Sequence, residues 1–285
     1  MEHLKKGIVK RGVKVIKSNR VGKGIYIIVI LISISICLLG IRSNGKKEQQ
    51  RKIEHIKSTL KDETVKINQL NKQISQFYQN DQEEFLADRI KEDELKDIQL
   101  NINTLKTEAD DFGVEKKDFT ADTSEVRQAK EELVAKIEDI KNKKNIQNQV
   151  TALLMQKPTN WAANNEEAII KESTTAEKIL KIRHSVSKAE TQWNQAIISL
   201  LDEMDAQVKQ YKDIEQSIDM MEQDGVLTSN ATIENVILIF NQLPQIKNET
   251  LKKDLSDKLD VIDTLLEKEE TTESLEEQEE VLGSE

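Results

Sequence analysis

The side chains able to serve as metal ligands, nucleophiles or proton shuttles are few in kind and scattered in position. The histidines are His3, His55 and His184, and the single cysteine is Cys37. His3 lies in a basic N-terminal stretch. His55 and His184 fall in separate helical segments with no ligand cluster around either, so no metal site is expected. The lone cysteine excludes an internal disulfide. Carboxylates number 52. At that density any two could be paired on paper as general acid and base, and in long helices they form a solvated face. The sequence contains no dinucleotide-binding glycine pattern, no phosphate-binding loop, no HExxH helix, no GxSxG turn and no CxxC pair. No catalytic constellation and no cofactor is therefore expected, and the chain reads as non-enzymatic.

Two tryptophans stand out where aromatics are only 4% of residues. Trp193 occupies an apolar seam position and reads as core. Trp161 follows Pro158 in a loop with Thr159, Asn160, Asn164 and Asn165. An exposed indole beside amides could stack on a glycan. The plainer alternative is packing of the loop onto the core.

The element that positions everything else is the uncharged run Ile25 to Ile41, IYIIVILISISICLLGI, which includes Ile28, Leu31, Ile34, Cys37 and Leu39. Seventeen helical residues span about 26 Å, slightly short of a hydrocarbon core of about 30 Å. Flanking Val21 and Gly22, with Lys23 and Arg42 snorkelling outward, make up the difference. Before the run lie Lys5, Lys6, Lys10, Arg11, Lys14, Lys17, Arg20 and Lys23 against Glu2 alone. After it come Arg42, Lys46, Lys47, Arg51 and Lys52, interleaved with Glu48 and Glu54. The excess of cations before the run places residues 1–24 in the cytoplasm and the chain after the span outside. No small-residue cleavage pattern follows the run. Cys37, preceded by Ile36 deep in the run, reads as a small apolar membrane residue and not as a lipidation site.

Lipid is thus one expected partner, through a single helix. The basic head, residues 4–18, could lie on the membrane surface or dock a cytoplasmic partner, but it also suffices as a plain orientation signal. The net charge of −10 argues against nucleic acid. Only 9 glycines and 2 prolines among 285 residues, with abundant Glu, Lys, Gln, Leu and Ile, predict an all-α chain of long helices.

After the span, Ile53, Ile56, Leu60, Ile67, Leu70, Ile74 and Phe77 alternate spacings of three and four, with Glu63 at the one missed position. This heptad seam must be covered by a second copy or by a later helix of the same chain. Further helical patterns favour the second. Leu95 to Leu105 continue the period. Gly113 suits a left-handed turn. A helix restarts near Asp122–Glu125, is expected to loosen at Lys141–Lys144, and ends before Pro158. A second block runs from Asn165 through Trp193, Met221, Gly225, Phe240 and Pro244 to Leu265.

The two blocks read as copies. KDIQLNINTL at Lys96 parallels KDIEQSIDMM at Lys212, and Phe77 falls on Trp193. Gly113-Val114 answers Gly225-Val226, and Ile140-Lys141-Asn142 answers Ile246-Lys247-Asn248. The expected organisation is a basic segment 1–24, a transmembrane helix 25–41, a stalk helix with a first helical repeat 42–156, a second repeat 157–266, and an acidic tail 267–285 that is disordered or a frayed helix end. The repeats are expected as tandem three-helix bundles.

The run WNQAIISLLDE from Trp193, then DGVLTSNAT from Asp224 and QIKNETLKKDLSDKL from Gln245, resembles the extracellular region of the mid-cell-anchored protein Z (MapZ, or LocZ) family. The resemblance covers residues 150–266. It implies a single-pass protein with peptidoglycan contact outside and a link to cell-division site positioning. The short basic head and the acidic tail depart from the family pattern of a long cytoplasmic region and a C-terminal wall-binding subdomain. No binding residue is carried over. The alternative is a membrane scaffold acting through coiled-coil self-association or protein contact without wall binding.

Overall fold

A computed structural model describes residues 46–79, 81–117, 119–162 and 167–282. These residues are mostly helical, in the order α1 (Lys46–Ser75), α2 (Glu92–Asn103), α3 (Ser124–Leu153), α4 (Ala176–Ser185), α5 (Gln192–Asp219), α6 (Ile233–Phe240) and α7 (Glu249–Leu282). The strands β1 (Glu222–Gln223) and β2 (Val226–Leu227) form a two-residue hairpin. The all-α expectation agrees with this architecture. The apolar run 25–41 and the basic head 1–24 lie outside the described residues. Among the described residues no helix is long and apolar enough to cross a membrane.

Two compact units emerge, interleaved along the chain. The first takes the described residues through Gln76 and returns for Ile90–Glu138; the second takes Phe77–Arg89 and everything from Asp139. This division differs from the expected boundary between residues 156 and 157. The sequence blocks follow chain order, whereas the segment 77–89 and the second half of α3 bury their apolar side chains together.

In the first unit α1 packs on α2. Its seam residues Ile56, Leu60, Ile67, Leu70 and Ile74 are buried, so the heptad stripe is covered within one chain. Glu63, at the seam's polar position, is 1% exposed; its carboxylate accepts from Lys66 Nζ at 2.8 Å and from the Lys106 backbone N–H at 3.4 Å. Beyond α2 a 3-10 turn, Ala109–Phe112, is closed by reciprocal capping between Glu108 and Asp111. It ends at Gly113 with φ +64°, the left-handed position expected there. The carboxyl of Asp111 is held below its ordinary pKa, first by the Glu108 N–H and, after an opposing effect of burial, by the Thr107 N–H. α3 starts at Ser124, with the Asp122 carboxylate accepting from the Ser124 backbone N–H and hydroxyl.

The second unit begins with a segment of which the sequence singled out only Phe77. Tyr78 bridges Leu86 in antiparallel fashion, and the loop 77–87 buries Phe77, Tyr78, Phe85 and Leu86. A second bridge, Leu154 to Ile170, closes the loop that carries Trp161. Thr175, Thr191 and Thr232 cap α4, α5 and α6 by accepting from the backbone N–H three residues on. Two apolar clusters lie along α5. One gathers Phe85, Val150, Trp161, Ile179, Trp193 and Leu201; the other gathers Ile214, Ile218, Met221, Ile239, Leu243 and Leu259.

Several sequence expectations change here. α3 runs unbroken through Lys141–Lys144, because Ile140 and Ile146 are fully buried on either side and Lys143 is itself buried. The matched joint Lys247-Asn248 instead precedes α7, where the Asn248 side chain accepts from the Thr250 and Leu251 N–H groups. Gly225 does not end a 3-10 turn as Gly113 does. With Asp224 at φ +55° and Gly225 at φ +83° it makes the Asp-Gly turn of the β1–β2 hairpin. Phe77 follows the end of α1, whereas Trp193 lies in the first turn of α5. The paired anchors thus occupy different local structures. The acidic stretch 267–282, expected to be disordered or the end of a helix, continues as helix within α7. Glu, Lys, Leu and Gln favour helix, and the first glycine after Glu249 is Gly283.

Candidate functional site

A buried cation with aromatic neighbours lies in the second unit, on one face of α3. Asp139, Lys143 and Gln147 follow at intervals of four residues and so share that face. The Lys143 side chain is 9% exposed, and its Nζ lies 2.8 Å from Asp139 Oδ2. The same ammonium sits 5.6 Å from the centroid of the Tyr78 ring and 5.7 Å from that of Trp193. Two negative ring faces and a carboxylate therefore replace its water. The Tyr78 hydroxyl points to Asp139 at 3.4 Å. Burial first, then the charges of Asp139 and Glu83, push its pKa well above the ordinary phenol value, so Tyr78 stays a neutral donor. The buried Trp193 Nε1 and Gln147 Nε2 have no acceptor among the described residues. The arrangement offers no nucleophile. Its chemistry is that of a clamp: one cation ties the 77–89 segment and the start of α5 to α3.

A second polar cluster lies where α5 meets α7. Gln207 donates to the Ala168 carbonyl at 2.8 Å and accepts from the Ile170 N–H, while Asn248 donates to the Ile170 carbonyl at 2.7 Å. Nearby, the Tyr211 hydroxyl lies within hydrogen-bond distance of both Glu215 and Asp254, with one proton to donate between them, and Lys258 reaches the same two carboxylates. The crevice beside them, lined by Ile170, Gln207, Tyr211, Lys247 and Asn248, holds only about 10 Å³. That is room for one water at most.

The roomier concavity is in the first unit. Arg51, Lys52, His55 and Ile56 of α1 face Phe112, Gly113 and Val114 of the 3-10 turn across a groove of about 320 Å³. The Phe112 ring is braced by Phe119, with centroids 5.4 Å apart. Three basic side chains and an apolar floor, with no carboxylate in the lining, set this groove apart in a chain of net charge −10.

The residues singled out from sequence distribute as follows. The membrane residues Ile25, Ile28, Leu31, Ile34, Cys37, Leu39 and Ile41 lie outside the described residues. So do the topology cations Lys5, Lys6, Lys10, Arg11, Lys14, Lys17, Arg20 and Lys23. Trp193 is core, 1% exposed. Trp161 is 3% exposed and packs within the same cluster. Its ring has no open face for a sugar, so the glycan-stacking expectation is withdrawn in favour of packing of the loop onto the core. Among the described residues no group of three or more His, Cys, Asp or Glu could hold a metal ion. Sequence reasoning missed Tyr78, Lys143 and the groove. The available signals were the aromatics at 77, 78 and 85 in an aromatic-poor chain, and the basic triplet at 51, 52 and 55.

Compared with protein-family models, with curated proteins and with solved structures, the chain matches none.

Proposed function

We propose that the chain is a non-enzymatic single-pass membrane protein. Residues 1–24 lie in the cytoplasm, residues 25–41 span the bilayer, and a helical module outside binds or spaces at the cell wall. The resemblance to the mid-cell-anchored protein Z family extends the proposal to cell-division site positioning, with peptidoglycan as the outer partner and a division protein at the basic head. The observation that carries the reading is the charge asymmetry about the uncharged run, eight Lys and Arg before it against Arg42, Lys46, Lys47, Arg51 and Lys52 after it. The covered seam of α1 supports it from a second side. With Leu60 and Ile74 fully buried within one chain, the module needs no second copy to bury that stripe.

A second reading, protein contact without wall binding, is favoured by α6. Val236 and Ile239 face the core, but Ile233, Ile237, Leu238 and Phe240 are at least half exposed. Ile233, Ile237 and Phe240 recur at the spacing of one helix face.

Two measurements on the full chain test these readings. External protease added to spheroplasts should reduce the protein to a fragment of the N-terminal head and span. Protection of the bulk of the chain would reverse or abolish the proposed topology. Detergent-solubilised protein should then co-sediment with purified sacculi. Retention in the supernatant would leave protein contact through α6 as the surviving reading.

A further inference from the structure

The groove between α1 and the Ala109–Phe112 turn has the composition of an anion site with an apolar side, and the geometry points to the phosphodiester headgroup of an anionic glycerophospholipid as its ligand. The inference rests on the membrane reading above.

Three observations carry it. The first is charge. Arg51, Lys52 and His55 line the groove and no carboxylate does, and neither Arg51 nor Lys52 forms an ion pair among the described residues. Of the acids of the facing turn, Asp110 is exposed and absent from the lining, and the others have partners. Glu108 lies 3.6 Å from Arg127, Glu115 lies 2.7 Å from Lys117, and Asp111 accepts from two backbone N–H groups. On α1 itself Glu54 is exposed and absent from the lining. A guanidinium fork beside an ammonium and an imidazole suits a phosphate, which offers several acceptor oxygens in a small volume.

The second observation is the other wall. Ile56, Phe112 and Val114 present apolar surface, and Gly113 has nothing within 4 Å of where a Cβ would stand. A hydrated inorganic anion gains nothing from such a wall; the glycerol and first methylenes of a lipid do. The volume of about 320 Å³ is at the small end for ligand sites and suits a headgroup.

The third is position. Arg51 follows Ile41 by ten residues. A chain extends at most about 3.6 Å per residue, so the groove lies within about 36 Å of the end of the span.

The test titrates the full chain, in neutral-detergent micelles, with short-chain phosphatidylglycerol, short-chain phosphatidylcholine and glycerol 3-phosphate. Saturable binding of phosphatidylglycerol is expected, with phosphatidylcholine and glycerol 3-phosphate each at least about tenfold weaker. The double variant R51Q/K52Q should weaken phosphatidylglycerol about tenfold or more, the loss of two charge-assisted contacts. K57Q/K61Q removes equal charge from exposed positions of α1 outside the lining and should stay within about twofold of the parent. F112A should weaken the lipid and leave glycerol 3-phosphate unchanged. Equal binding of the two lipids would overturn the proposal, and so would equal losses in both double variants. Glycerol 3-phosphate binding as tightly as the lipid would make this a free-phosphate site instead. Because micelles impose no sidedness, these results stand apart from the spheroplast experiment. A failed topology with intact lipid selectivity would count against the membrane reading alone.

Discussion

The surroundings of Lys143 and those of Arg51 and Lys52 use the same ingredients, cations against aromatic rings on one face of a long helix, and reach opposite ends. Around Lys143 two rings and Asp139 close over the ammonium and leave its side chain 9% exposed. Around Arg51 and Lys52 one ring, Phe112, stands across an open groove and no carboxylate joins the lining. A cation that has already exchanged water for protein partners ties segments together; one that has not is available to a ligand. The two regions should therefore respond to charge removal in different measurements, stability for one and binding for the other.

The largest expected effect tests the closed region. Trp193→Ala removes a ring that is 1% exposed and one side of the ammonium's enclosure, and should destabilise the second unit by about 3–5 kcal/mol. Trp161, within the same cluster, reports that unit's unfolding by its fluorescence, so a urea titration of the variant reads it directly. A midpoint within error of the parent would mean that the indole is not packed as described. Next in size is Lys143→Met, which keeps an unbranched side chain one atom shorter and removes the charge. A loss of about 1–3 kcal/mol is expected from the broken pair and the lost ring contacts. R51Q/K52Q should change stability by less than about 0.5 kcal/mol, read by circular dichroism. If the two variants lost equal stability, the distinction between clamp and open site would fail.

The seam of α1 tests the same idea without a ring. Glu63 is buried where the heptad pattern wants an apolar side chain, and its partners are an exposed lysine and one backbone N–H. Replacing a buried charge with a hydrophobe of similar volume is often neutral or stabilising. Glu63→Leu should therefore leave the thermal midpoint unchanged or raise it. A marked fall would show that the carboxylate's hold on Lys106 positions the link from α2 to the 3-10 turn.

What was legible in the sequence follows from what periodicity encodes. The covered stripe Ile56 to Ile74, the left-handed Gly113 and the helix start at Ser124 could be read because each is a local pattern with one physical solution. The hairpin at Asp224-Gly225 was also local, and its turn signal was passed over in favour of a repeat match to Gly113. The 77–89 segment was not legible, since Tyr78 and Glu84 meet partners 61 and 108 positions away and its spacing fits neither helix nor strand. Lys143 illustrates the cost. In sequence it belongs to a Lys-rich stretch that looks solvated, and only the placement of Tyr78 and Trp193 makes it a buried cation. Trp161 shows the opposite case. Its polar neighbours left an exposed indole open beside the plainer reading of packing onto the core, and with the loop closed by the bridge between Leu154 and Ile170 the indole is buried in the core.

The smallest expected effect concerns pH and belongs to the rim of the open region. Asp111 has its carboxyl pKa lowered chiefly by the Glu108 N–H, against burial, with help from the Thr107 N–H and the charges of Lys130 and Lys106. A folded pKa below the unfolded one means the unfolded chain binds protons more readily. The contribution to stability is therefore present above the unfolded value of about 4 and is lost as pH falls through the folded pKa. Asp111→Ala should thus cost stability at neutral pH and converge on the parent in acid. Since Asp111 is exposed, the difference is small and screened by salt. A gap that stayed constant from neutral to acid would mean the carboxylate's charge contributes nothing. The capping of the turn that carries Phe112 and Gly113 would then rest on shape alone.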